Sequence, residues 1–432
     1  MYSFLRYYVD FVMKLSYRKI KYIGKEFIPK DGAIILAPNH TNALMDAMVV
    51  LGMDHQPKVF VARADIFRNP KIAKMLTWFK IMPIMRMRDG YEEVKKNNET
   101  IERAVDVLRD RVPFCIFPEG THQAKFSSLP LAKGIFRIAF QAQELMPDMP
   151  LYIVPVGIRY GSFFRFRSTA RVQIGEPINV GQFINEHSNL APAEQMTAIR
   201  ELLTERIQKS IFYITNDEDY EAMYEICATV VKHQTKRCKF VVDGKRLRGM
   251  DAHFEANNRT IREVMRLKES NPEVAAELLK LGKEAFEERT SQSISLNSVS
   301  AKRGLASRIM QVVFFILKLP YTIPASILTL PMVAVVKFLF TRIKDHAFRN
   351  SIRFVANLIL WPILMIIYAA LAYTFLPWEW ALPITLALLP APIIAQETWR
   401  LLRLLKSDIM LQCNKPLRNK YKKIRTLFIK NK

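Results

Sequence analysis

The stretch Ala33-Ile-Ile-Leu-Ala-Pro-Asn-His-Thr-Asn-Ala-Leu-Met-Asp46 decides how the rest of the chain is read. Its first five residues form an apolar run of strand length. A Pro-Asn-His turn follows, and then a helical stretch expected over 43–52. A buried strand that hands over to a helix through an Asn-His turn puts His40 and Asp46 where working side chains commonly sit. A carboxylate within reach of an imidazole fixes its tautomer and makes it a better base. The pair raises the question of which hydroxyl or water gives up a proton.

Outward from this stretch, residues 20–180 alternate short apolar runs with helical patterns, the signature of an α/β domain. Strands are expected at Ala33–Ala37, Val59–Ala62, Phe114–Phe117, Tyr152–Gly157 and Arg171–Ile174. Helices are expected at 43–52, 70–79, 92–109 and 132–145. Pro155 inside the run Ile153-Val-Pro-Val-Gly157 argues for a sheet edge or a site boundary. The first twenty residues read as an amphipathic helix that either lies on a membrane surface or packs on the domain.

Beyond residue 186 the chain becomes charged and helical up to about 290 and carries no catalytic constellation. A basic cluster of Lys236, Arg237, Lys239, Lys245, Arg246 and Arg248 reads as a solvated face. Five serines between Ser291 and Ser300 suggest a linker over 291–304.

The region 305–400 carries the membrane signal. Residues 354–376 and 380–396 are apolar runs near the ~20 residues that span hydrocarbon, joined only by Pro377-Trp-Glu379, so they are expected as a helical hairpin. Basic residues flank it at both ends (Arg342, Lys344, Arg349 and Arg353 before; Arg400, Arg403 and Lys406 after), which places both ends on the cytoplasmic side. The run 309–341 contains Pro320, Pro324 and Pro331 and is expected as a short hairpin or re-entrant segment. The tail, 401–432, ends in nineteen residues with eight Lys or Arg and no acid, a composition suited to anionic lipid.

The net charge of +24 demands an acidic partner. Because the basic residues crowd the flanks of an apolar region, anionic membrane is expected as that partner rather than nucleic acid. Four scattered cysteines do not make a disulfide framework, and Cys227 and Cys238, with only His233 between them, make a poor zinc site. No metal is expected.

Three further segments lie in the same domain as His40 and Asp46: Pro83-Ile-Met-Arg86 with Arg88 beyond it, Phe117-Pro-Glu-Gly-Thr121, and Val154-Pro-Val156. In this order they resemble the blocks of the glycerolipid (glycerol-3-phosphate and lysophosphatidate) acyltransferase family. The resemblance covers about residues 25–180. Two departures stand out: five residues rather than four separate His40 from Asp46, and His122 stands where Arg is common. Both features look like the fungal-type glycerol-3-phosphate/dihydroxyacetone-phosphate acyltransferase branch. The extra residue turns helical phase by about 100°, so a loop must absorb it for the pair to meet.

The expected fold is an α/β acyltransferase domain over 21–185, named by the resemblance, with a mainly helical second region and C-terminal transmembrane helices read from the sequence pattern. The resemblance implies an enzyme of phospholipid synthesis, and the apolar runs with their basic flanks make it an integral membrane one whose catalytic domain is expected to face the cytoplasm. His40 would be the general base and Asp46 its partner; Arg86, Glu119, Gly120, Thr121, Arg63, Arg88 and Lys133 would bind substrate. The acyl donor would be an acyl-CoA or acyl-carrier-protein thioester, the acceptor glycerol 3-phosphate or dihydroxyacetone phosphate, and no cofactor would be needed. Lysophosphatidate acylation and a non-catalytic lipid-binding role are the rival expectations.

Overall fold

A computed structural model describes residues 2–84, 97–237, 241–242 and 245–431. The chain divides into two compact units, residues 1–211 with 338–358, and 212–337 with 359–432.

The first unit is built on a sheet of strands β1 (Tyr17–Ile23), β2 (Ala33–Pro38), β3 (Val59–Arg63), β4 (Ile81–Ile84), β5 (Phe114–Cys115), β6 (Leu151–Tyr160), β7 (Ser168–Ile174) and β8 (Ile178–Asn179). Their order is β1-β7-β6-β2-β5-β3-β4, with β8 also on β6. The five strands from β6 to β4 run parallel, while β7 and β8 pair antiparallel to β6. Parallel strands buried on both faces need continuous apolar sequence, which Ala33–Ala37 supplies. Helix α3 (Pro70–Trp78) lies between β3 and β4 in the chain. Ala33, Ile35 and Ala37 face one core with helices α4 (Asn97–Arg109), α5 (Gly134–Leu145), α6 (Val180–Glu186) and α7 (Pro192–Ser210). Ile34 and Leu36 face the other, with α1 (Tyr2–Ser16) and α2 (Leu44–Leu51).

Two sequence expectations are corrected in this unit. The N-terminal helix ends at Ser16, and residues 17–23 form β1 instead of continuing it. That helix buries Val12 and Met13 in the core and exposes Phe4, Tyr7 and Phe11, so it packs on the domain and still presents an aromatic stripe. Pro155 lies inside β6, with β2 paired on one side from Leu151 to Val156, so it is not at a sheet edge. On the other side β8 pairs up to Ile153 and β7 begins only at Val156, so Pro155 falls in the gap where no ladder needs its missing N–H.

In the second unit α8 (Tyr220–Arg237), α9 (Gly249–Ser270) and α10 (Pro272–Ser291) form a bundle. The expected linker instead contains α11 (Leu296–Ala301), with Ser298 and Val299 buried. The region 309–341 is one continuous helix, α12 (Leu305–Arg342), despite its three prolines, and is not a hairpin. Its 38 residues are long enough to cross hydrocarbon. Thr322, Ala325, Thr329 and Met332 form its buried stripe, and Thr322 Oγ1 donates to Thr398 Oγ1 at 3.1 Å. Small and hydroxyl residues of this kind let apolar helices approach closely.

Helix α13 (Arg349–Val355) leads through a π-turn into α14 (Trp361–Phe375), and α15 (Trp378–Leu388) folds back on α14. The expected hairpin therefore exists, but its second arm bends by 52° before α16 (Ala391–Cys413). Two of these helical stretches are apolar and long enough to span a membrane, or three if the bent pair counts as one span. The basic tail is folded as α17 (Lys415–Lys430), which buries Leu417, Tyr421, Ile424 and Phe428.

Candidate active site

The carboxyl ends of β2, β3, β4 and β5 lie along one edge of the sheet, the usual place for ligands in open α/β folds. β2 delivers Asn39 and His40 to this edge. The Asn39 amide is spent on structure: its Oδ1 accepts from Ile158 N at 2.6 Å and its Nδ2 donates to Ile158 O at 3.2 Å. That clamp ties the end of β2 to β6 and fixes where His40 leaves the sheet.

His40 Nδ1 and Asp46 Oδ2 are 2.8 Å apart. Helix α2 starts only at Leu44, so Thr41, Asn42 and Ala43 form a loop that takes up the extra residue. Ala43 adopts φ 46°, a region unfavourable for an L-residue with a Cβ, which is the local cost of closing the pair. Asp46 is fully buried and well satisfied. Oδ2 also accepts from the backbone N–H of Thr41 and Asn42, both at 2.7 Å, and Oδ1 accepts from Tyr160 Oη at 2.7 Å. A carboxylate held by backbone donors is acceptor-only, so Nδ1 carries the imidazole proton and Nε2 is left with its lone pair. The His40 ring stacks on Phe117 at 4.2 Å between centroids.

The turn Phe117-Pro-Glu-Gly120 follows β5 and closes with Gly120 N donating to Phe117 O. Gly120 has φ 62°, so the turn requires a residue free to be left-handed. Glu119 is 6% exposed and neither carboxyl oxygen makes a well-formed hydrogen bond, although backbone groups of His40 and Leu129 lie near. Burial, then the Asp46 charge, outweigh those neighbours and push its pKa up to about 8. Glu119 is therefore mostly protonated at neutral pH. Thr41 Oγ1 and the Asn42 side-chain amide, both buried, also lack partners. Thr121 is exposed beside this turn.

Arg63 closes β3 beside Ile84 and donates from Nε to Asp65 Oδ1 at 3.0 Å. Lys133 is exposed at the start of α5, on the chain that follows the Glu119 turn. Arg86 and Arg88 lie outside the described residues, as do Cys238 and Lys239 of the segments noted in the sequence. Among the described residues no group of His, Cys, Asp and Glu is placed to hold a metal.

Two contributors were not legible beforehand. Tyr160, at the far end of β6, holds the second oxygen of Asp46, and the ring of Tyr17 stacks on it. His122 Nε2 lies 2.8 Å from Asp345 Oδ2, and the His122 ring meets that of His40 edge-on at 5.3 Å. Asp345 belongs to residues 338–358, which join α12 to α14 and pack within the first unit. There Asn350 Nδ2 donates to Phe163 O and Arg353 Nη1 donates to Phe164 O at 2.6 Å. A second His–Asp pair thus stands beside the first, its acid supplied by the connector between two apolar helices.

The mixed α/β sheet thus carries a His–Asp pair and a Pro-Glu-Gly turn at the carboxyl edge of its parallel strands. Residues 19–159 match the family described as Acyltransferase. The chain is 24% identical over 300 residues to glycerol-3-phosphate O-acyltransferase 2 of Saccharomyces cerevisiae, covering 65% of this chain and 39% of that one. It is 34% identical over 110 residues to glycerol-3-phosphate O-acyltransferase 1 of the same yeast, covering 25% and 14%. A 1-acyl-sn-glycerol-3-phosphate acyltransferase of Bacillus subtilis is 25% identical over 195 residues, covering 44% of this chain and 87% of that one. The crystal structure of a 1-acyl-sn-glycerophosphate acyltransferase from Thermotoga maritima aligns with 46% of the chain at 20% identity and a TM-score of 0.33. Residues 19–159 thus form an acyltransferase domain similar to those of glycerolipid acyltransferases, and the chain's match spans well under half the length of either yeast relative.

Proposed function

We propose that this chain is a membrane-bound O-acyltransferase that moves a fatty acyl group from a thioester donor, acyl-CoA or acyl-carrier protein, to glycerol 3-phosphate or dihydroxyacetone phosphate. The observation that carries the reading is the His40–Asp46 hydrogen bond at the sheet's carboxyl edge. His40 Nε2 takes the proton of the acceptor hydroxyl as its oxygen bonds to the thioester carbonyl carbon. Asp46 stabilises the imidazolium that forms. As the tetrahedral intermediate collapses, the C–S bond breaks and His40 returns the proton to the departing sulfur. General-base assistance of this kind supplies about 10²–10⁴ in rate, and positioning supplies the rest.

The acceptor phosphate calls for cations. Arg86 is the residue proposed to grip it as a guanidinium fork, with Arg63, Arg88 and Lys133 as further candidate cations. The buried, partnerless groups of Glu119 and Asn42 suit a glycerol hydroxyl or the reacting carbonyl. Thr121 adds a hydroxyl donor beside them, and Gly120, whose N–H already closes the turn, lets substrate approach the backbone there.

The membrane assignment draws on the apolar helices and on the connector that supplies Asp345. Arg342 and Arg349, both within the connector, are basic residues of the kind that suits the cytoplasmic membrane interface. The exposed Phe4, Tyr7 and Phe11 of α1 suit the same interface.

Lysophosphatidate acylation is the second reading, favoured by the Bacillus subtilis relative, most of whose length is matched. Glycerol-phosphate acylation is preferred because similarity to the yeast relative extends over 300 residues, well beyond the acyltransferase domain. An assay of the purified chain with each acceptor separates them: product from lysophosphatidate alone overturns the preferred reading.

A further inference from the structure

Within the second unit, α11, α16 and α17 enclose a cleft of about 540 Å³. Its wall carries Lys302, Arg303, Lys415, Arg418, Lys422 and Arg425 against a single acid, Asp408. That acid is already used, since Arg303 Nε and Nη2 donate to its two oxygens at 2.6 and 2.8 Å. The other five cations make no ion pair among the described residues.

The convergence is built by the fold. Positions 415, 418, 422 and 425 recur at helical spacing and share one face of α17. The neighbouring face is fixed by burial of Leu417 and Ile424 and by Tyr421 Oη, which donates to Glu225 at 2.6 Å. Lys302 is brought to the same cleft by the end of α11, where Lys232 Nζ donates to Ala301 O at 2.6 Å. Although Lys302 keeps exposed surface, burial of its ammonium, followed by repulsion from Arg425, Lys232 and Lys236, lowers its pKa to about 8. Burial also lowers that of Arg425. A solvated basic face has no need to gather cations into a concavity where they disfavour one another's charge.

We propose that this cleft binds a phosphate-bearing anion at a site separate from the acyl-transfer centre. The phosphate could arrive on a lipid headgroup or on a soluble molecule. The headgroup source is preferred because Lys302 lies three residues before α12, whose Leu305 and Ile309 are exposed apolar side chains at the start of a candidate span. The cations therefore stand at the level where lipid phosphates would meet that helix.

The test uses the full chain in non-ionic detergent and follows the thermal unfolding midpoint of the second unit. Inorganic phosphate is compared with chloride at equal ionic strength, and micelles doped with phosphatidate are compared with phosphatidylcholine. Ligand that binds only the folded state raises the midpoint. The double variant Lys302→Met/Arg425→Met should weaken binding by about tenfold or more, as expected for lost charge-assisted hydrogen bonds. The double variant Lys280→Met/Lys283→Met, with the same charge change on α10, should bind as the wild type does. A shift with both ligands supports a general phosphate site, and a shift with phosphatidate alone supports a lipid-headgroup site. No shift of the wild-type protein with either ligand overturns the proposal, as does an equal shift in the Lys302/Arg425 variant.

Discussion

Replacing Glu119 by Gln tests whether the site holds a neutral carboxyl group. In the unfolded chain a glutamate titrates near 4.5, whereas burial raises Glu119 to about 8 in the folded unit. Between those values the folded state keeps a proton that the unfolded state has lost, so the wild type loses stability as pH rises. The loss accrues at about 1.4 kcal/mol per pH unit. Glutamine fills the same space and carries no titrating proton, so it escapes this loss. The expected advantage of Glu119→Gln is under ~1 kcal/mol at pH 5, roughly 3 at pH 7 and on the order of 4–5 above pH 8. Thermal or denaturant unfolding of wild type and variant from pH 5 to 9, without substrate, reads it directly. A variant less stable than wild type, by an amount that does not shrink with pH, would refute the reasoning. It would show Glu119 ionised and paired, as it would be if its task were to hold Arg86.

The other predictions concern the groups around the dyad. Tyr160→Phe removes the donor to Asp46 Oδ1 and strands a buried acceptor, which should cost about 1–3 kcal/mol and lower kcat about tenfold with KM little changed. Unchanged kcat would mean that Tyr160 serves packing alone. Asp345→Asn breaks the pair with His122 at a half-exposed position, so stability should change by less than ~1 kcal/mol while kcat/KM falls about tenfold. Wild-type kinetics in that variant would rule out a part for the connector in the site. Gly157→Ala would set a Cβ 2.3 Å from the backbone oxygen of Ser210, so the first unit should be destabilised by several kcal/mol in denaturant titration.

What the sequence revealed and what it hid follow from the range of the interactions. Ala33–Ala37 was legible as a strand because its apolar run is local; Phe114–Phe117 was legible in part, the strand stopping at Cys115, and the ordered blocks pointed to one sheet edge. The meeting of His40 with Asp46 rested on the loop Thr41–Ala43, whose strained Ala43 has no compositional sign. Tyr160 stands 114 residues from Asp46, and Asp345 stands 223 from His122, so no spacing rule could join them. β1 was hidden because its lysines and tyrosines follow the N-terminal helix without a break. The prolines of α12 marked a hairpin by propensity, yet a helix packed along a stripe of small residues tolerates them. Two of the arginines expected only to orient the spans, Arg349 and Arg353, also pack over Phe340 within the connector.

The central claim is that His40 acts as the base for an acceptor hydroxyl. Its most direct test is acyl transfer by the purified, membrane-reconstituted chain and its His40→Ala variant, with glycerol 3-phosphate, dihydroxyacetone phosphate and lysophosphatidate as acceptors. The wild type should transfer to a glycerol-phosphate acceptor, and the variant should lose about 10²–10⁴ in rate with an unchanged unfolding midpoint. Full transfer by His40→Ala, or no transfer to any of the three acceptors by the folded wild type, would contradict it.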